Sequence, residues 1–306
     1  MKKNTIIIAS FLILFGITVP FSFASAQSPE INQKLDETRG KVEQLVKIKD
    51  NSSLSEQDKA NAEISIKREV LLNVLDLAQL QIKTVRTKLD DVIFPDTEEW
   101  SAIKEKLYNA LDAARDYYST TESDINDNDA LTLDDIKTVA SDVEQHKIDT
   151  FDATVRNVND VILTFNVGDV LLLAQDRLHK INSDITKIYA KRLTNSSTLK
   201  QMFFAASRSM DQARSLDDKA KEILLNVYGQ DTSPSSKRFI DNLSKTLMVD
   251  YLATASSSTS TEQTSPDKRA LIENHIRSLV VKSLNYIKQT YATFIDMSKK
   301  ASSLLQ

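Results

Sequence analysis

The densest set of candidate ligand atoms in the sequence lies between Asp124 and Asp135. Oxygen-bearing side chains hold the first, third, fifth, ninth and twelfth places of that window, as Asp124, Asn126, Asn128, Thr132 and Asp135, with Leu131 at the eighth. A hard divalent cation asks for such a spacing, because each carboxylate or carbonyl oxygen offsets part of the cost of stripping its water. Calcium is therefore the one cofactor these residues point to. Two features argue against it: Asp129 stands where the sharp turn wants glycine, and Asp135 is shorter than the usual bidentate glutamate. The competing reading is a solvated acidic turn in which Thr132 caps the following helix.

Over these twelve residues only, the segment resembles an EF-hand or dockerin-type loop, which implies a calcium- or ligand-sensing helical module. Other chemistry is sparse. The three histidines are His146, His179 and His275. A carboxylate-bridged metal site in a helical bundle needs two Glu-x-x-His pairs, and the nearest spacing is the single Asp176 to His179 step. Each histidine is thus read as a helix-surface or boundary residue. No Gly-x-Ser-x-Gly elbow, Ser-x-x-Lys run, phosphate-binding glycine loop or dinucleotide fingerprint is present, so no catalytic residue is assigned and a non-enzyme is expected. Trp100, Tyr108, Tyr117 and Tyr118, with Met202, Phe203 and Phe204, have spacings that suit a core rather than a recognition patch.

The elements that must carry these residues are helices. The chain holds four glycines and five prolines in 306 residues, where ordinary composition has about 12% of the two together. Loop-rich all-β folds and glycine-punctuated α/β folds are excluded on that ground. The clearest pattern is Leu71, Leu75, Ala78, Ile82, Val85, Leu89 and Val92, at alternating steps of four and three, as in a coiled-coil seam. Ser55, with Asp58 three residues on, predicts a capped start for that helix. The spacing continues through Ile103, Leu107, Ala110, Ala114 and Tyr117, and again through Ile148, Phe151, Val155, Val158, Ile162 and Phe165. Beyond Gly168 it resumes one residue out of phase, which predicts a kink or break there. Further helices are expected from Leu199 to Val227, with Gly229 as a C-terminal cap, and from Pro234 to Tyr251. The Ser/Thr-rich residues 254–265 read as a flexible linker, and residues 266–306 as a final helix packing back on the bundle.

Shifting the sequence by 96 residues lays Val74-Leu75 on Val170-Leu171, Leu77-Ala78-Gln79 on Leu173-Ala174-Gln175, and Leu89 on Ile185. This offset suggests two tandem helical units, at about 55–130 and 131–230 within a bundle spanning 27–253. Any two heptad helices align once phased, which is the bland alternative.

Met1 to Ala26 reads as a signal peptide: Lys2 and Lys3, an apolar stretch from Ile6 to Val19, then Ala24-Ser25-Ala26 as the cleavage pattern. The mature chain is therefore expected outside the cytoplasm, with a retained N-terminal anchor as the alternative. The absence of cysteine excludes disulfides and thiolate metal sites, and a net charge of −4 with interspersed signs argues against nucleic acid. Together these features predict an all-α, elongated multi-helix bundle with coiled-coil-like packing. Its expected role is structural, or to bind a protein partner, at the cell envelope or outside the cell.

Overall fold

The computed structural model describes residues 29–190, 196–229, 234–255 and 267–305. The expected signal segment lies outside them, as does the Ser/Thr stretch beyond its first two residues, Thr254 and Ala255. Among the described residues there is no strand, and seven helical rods pack against one another, as an all-α bundle requires. The helices are α1 (Pro29–Asp50), α2 (Glu56–Asp90), α3 (Glu98–Asp127), α4 (Leu133–His146), α5 (Asp152–Ala190), α6 (Ser196–Leu224), α7 (Pro234–Ala255) and α8 (Lys268–Leu305). A π-helical turn, Lys147–Phe151, joins α4 to α5 without a break, and a second, Leu225–Gly229, extends α6. The chain forms two compact units: residues up to Asp91 with Lys106–Val158, and Val92–Glu105 with the rest.

In the first unit, α1 folds back on α2. The turn between them is built from polar groups: the Ser53 N–H donates to Asn51 Oδ1 at 2.9 Å, and the Asp58 N–H donates to Ser55 Oγ at 3.2 Å, which makes Ser55 the cap of α2. Val42 and Leu45 of α1 meet Ile66 and Val70 of α2, with Ile48 alongside. Lys34 pairs with Asp76 at 2.8 Å, Lys41 with Glu69, and Lys49 with Glu63 at 3.2 Å. One member of each pair climbs the sequence as the other descends, so the three together fix the antiparallel register. The predicted seam from Leu71 to Val92 is buried throughout.

Helix α3 differs from expectation by one step. Leu107, Leu111, Ala114 and Tyr118 are its buried row, while Ala110 and Tyr117 sit at its edge. Both rows keep a four-three spacing, and the larger Leu111 wins the inward place over Ala110 because it removes more apolar area from water. Arg86 reaches Asp112, the Tyr108 hydroxyl donates to Asp90, and Gln79 donates to Glu122 at 2.6 Å. Arg68 closes the far end by donating to the carbonyls of Ile125 and Asn126, at 2.7 and 3.0 Å, which are among the orphan acceptors of the last turn.

In the second unit, α8 packs against α6 and α7. Ala206, Ala213 and Ala220, seven residues apart on α6, are wholly buried, as are Ser283 and Thr290 on α8. Small side chains let the two backbones approach so closely that hydroxyls of one helix reach carbonyls of the other. Ser283 Oγ donates to the Ala213 carbonyl at 2.9 Å, and Thr290 Oγ1, which donates to Tyr286 at 3.0 Å, lies 3.5 Å from the Ala206 carbonyl. Outside this row, Ile185, Leu199, Phe294 and Met297 form an apolar cluster with Ala206.

Two expectations about glycine are corrected. Helix α5 runs through Gly168 without a break. From Val158 to Val167 the helix is buried on several sides, so the two out-of-phase stripes overlap within one continuous helix. What Gly168 supplies is room: a Cβ there would lie 2.9 Å from Lys221 Nζ. Gly229 does not have the left-handed backbone of a glycine cap; it ends the second π-turn, beside Ile103.

Candidate functional site

The five residues of the predicted cation loop are divided among a helix, a turn and a cap. Asp124 and Asn126 belong to the last turns of α3, and Asn128 Oδ1 accepts the Ala130 N–H at 3.0 Å in a local turn. Thr132 and Asp135 form a capping box: the Asp135 N–H donates to Thr132 Oγ1 at 3.2 Å, while Asp135 Oδ2 accepts the Thr132 N–H at 2.9 Å and its hydroxyl at 2.6 Å. The Thr132 hydroxyl, and then its N–H, hold the Asp135 carboxyl below its ordinary range. For this loop to enclose calcium, Asp135 would have to exchange those bonds for the ion and the end of α3 would have to unwind. Among the described residues no group of three or more histidine or carboxylate side chains is gathered as a metal site.

Beside the first π-turn lies an aromatic cluster. His146 stacks on Tyr117 with ring centroids 3.7 Å apart, meets Tyr118 edge-on at 5.5 Å, and Tyr118 meets Phe151 edge-on at 5.4 Å. Burial depresses the His146 pKa, with the charge of Asp149 opposing, and burial raises the Tyr118 hydroxyl. Among the described residues, neither His146 Nε2 nor the Tyr118 hydroxyl has a hydrogen-bond partner. His179 is exposed on α5 and His275 is half-buried on α8. Trp100 and Tyr118 are core residues, as their spacing predicts, while Phe204 is exposed beneath Lys200.

The second unit buries charges in pairs. Arg277 Nε donates to Asp160 Oδ1 at 2.8 Å, and Arg269 donates to Glu273 at 3.2 Å. Tyr228, on the second π-turn, has its hydroxyl raised by burial and then by the charges of Asp160 and Glu273. Lys221 donates to Asp217 at 2.8 Å and lies over the Phe165 ring. Asp217 is nonetheless raised, because burial outweighs that ammonium. Each carboxylate is matched by a cation: Lys221–Asp217 and Arg269–Glu273 pair along one helix, and Arg277–Asp160 joins α8 to α5.

On α5, Val170, Leu172 and Leu173 are exposed, the two leucines by 61% and 62%. On the α6 and α8 pair, a groove of about 500 Å³ is lined by Gln212, Ser215 and Leu216 from one helix and Lys282, Asn285, Tyr286 and Gln289 from the other. The sequence reading missed both. Leu173 stands in the same heptad pattern as buried residues, and the groove joins two segments about 70 positions apart, a distance over which one sequence gives no signal.

No protein family, no curated protein and no solved structure matches the chain.

Proposed function

We propose that the chain is an exported, non-enzymatic helical-bundle protein that binds a protein partner, or serves as a structural component, at the cell envelope or outside the cell. One observation carries the reading. Val170 and Leu173 are 37% and 62% exposed, whereas Val74 and Leu77, 96 residues earlier in the same pattern, are 4% and 5% exposed. A helix face with the composition of a covered one, left in water, is the kind of surface at which helices dock. Charged residues flank it: Asp169 and Asp176 precede Arg177 and Lys180 along the same helix, so the apolar centre has the polar rim of an interface.

The test is a photo-reactive phenylalanine analogue in place of Leu173 in the producing cell, with the same analogue in place of exposed Lys83 of α2 as the control. Irradiation should yield a heavier adduct from Leu173 and none from Lys83, in the extracytoplasmic fraction, on a chain that begins at Gln27. Monomer alone from both positions, or a cytoplasmic chain that retains Met1, would sink the reading. So would a measurable turnover by the purified protein.

A further inference from the structure

The groove between α6 and α8 has a chemistry unlike the rest of the chain. Acidic side chains outnumber basic ones by 43 to 39 overall, yet none of the residues lining the groove is a carboxylate. Three primary amides, a hydroxyl, a phenol and an ammonium converge there. Arg208 and Lys219 lie one turn before and one turn after the groove residues on the same face of α6, at positions four and seven residues away from Gln212. Arg208, Lys219 and Lys282 are exposed, and none of them forms an ion pair among the described residues. Elsewhere in the protein, lysines and arginines are commonly matched to carboxylates, as at Lys34, Arg86 and Arg277.

We infer that this groove binds an extended acidic peptide segment of a protein partner, a proposal that rests on the interaction role and names the chemistry of one partner. Primary amides donate and accept at once, as the alternating N–H and C=O groups of an extended main chain require. From Arg208 to Lys219 is about 16 Å along α6, the length of about five extended residues. Carboxylates at the ends and middle of such a segment meet Arg208, Lys282 and Lys219, while the Tyr286 ring and Leu216 supply the apolar floor. The two helices are held close here, because Ser283 of α8 donates to the Ala213 carbonyl of α6 at 2.9 Å.

The experiment is fluorescence anisotropy with the full mature chain and a labelled octapeptide of alternating glutamate and serine. Its comparison probes are a lysine/serine octapeptide, an oligogalacturonate and vesicles of phosphatidylglycerol. Saturable binding of the acidic peptide that weakens with salt is expected. Arg208→Glu with Lys282→Glu should weaken it by about tenfold or more, and Gln289→Ala with Tyr286→Ala, which leaves the charge unchanged, by about threefold or more. Lys83→Glu, an equal change of charge per site in the first unit, should leave it as it was. No saturation by about 1 mM peptide overturns the inference. Equal weakening by Lys83→Glu does the same, because it reduces the effect to net charge. Preference for the oligosaccharide or the vesicles replaces the peptide with another ligand. If Leu173 captures a partner and the acidic peptide fails, the interaction role stands and only this inference falls.

Discussion

Helix α2 in the first unit and helix α5 in the second share Leu-Ala-Gln at residues 77–79 and 173–175, and a shift of 96 carries Glu56–Asp90 to 152–186, within Asp152–Ala190. Ala78 and Ala174 are both wholly buried, and Leu75 and Leu171 nearly so, yet Leu77 is covered and Leu173 is in water. The difference arises just upstream. Under the same shift, the turn at residues 51–55, Asn-Ser-Ser-Leu-Ser, falls on the π-turn at 147–151, Lys-Ile-Asp-Thr-Phe. The first stretch is rich in side chains that bond their own backbone and end helices, so α1 turns back and covers α2. The second has no such cluster, so α4 continues through the π-turn into α5, and among the described residues no helix covers Val170 and Leu173 as Val74 and Leu77 are covered on α2. A local difference over five residues thus separates a helix that folds back from one that runs on with Val170 and Leu173 exposed.

If Phe151 is what keeps the second stretch helical, its removal should be the most damaging change. It is almost wholly buried against Tyr118, where the corresponding Ser55 is an exposed cap. Phe151→Ala should cost about 3–5 kcal/mol in urea unfolding, with Tyr118 left facing a cavity. Ile148, in the same turn, is 56% exposed because the π-turn adds a residue and carries it out of the predicted seam. Ile148→Ala should therefore stay within about 0.5 kcal/mol. An equal loss from both would mean that the turn as a whole, rather than the Phe151 contact, sets the path of the chain.

Leu77→Ala and Leu173→Ala test the contrast itself. The first should cost about 2–4 kcal/mol, and the second less than about 0.5 kcal/mol, by the same unfolding measurement. Equal losses would mean that Leu173 is covered in solution by the chain itself or by a second copy. Concentration dependence of the midpoint would then separate those two cases.

The fold class could be read directly because the seam from Leu71 to Val92 admits no period but a helical one. The caps at Ser55 and Thr132 were also legible, since both are side chains bonding a backbone three residues on. The π-turns were not, because an extra residue inside a helix has no composition of its own, and its effect surfaced only as the misplacement of Ile148. Gly168 did not mark a break for a related reason: a phase slip reads as a break until the helix proves to be buried on several sides. The exposure of Leu173 could not be seen at all, since its own neighbourhood repeats that of Leu77 and the cause lies in the preceding turn. The groove needed Ser283 and Thr290 to bring α6 and α8 together before its amides had any common address.

The smallest effects belong to the two capped helix starts, and they bear on the cation loop. Ser55 and Thr132 are exposed caps of α2 and α4, each accepting the N–H of an aspartate three residues on, and at Thr132 that aspartate also accepts the cap's own N–H. Ser55→Ala and Thr132→Ala should each cost about 1 kcal/mol, because each leaves one backbone N–H without its acceptor. Only Thr132 lies in the segment with calcium-loop spacing, so calcium separates the two roles. If Asp135 stays committed to its cap, millimolar calcium will leave the melting temperature of the parent chain where magnesium leaves it. A rise with calcium alone, abolished by Asp135→Asn and retained in Ser55→Ala, would show instead that the carboxylate leaves Thr132 for the ion. The two starts would then share the side-chain cap at rest and differ in what they can exchange it for.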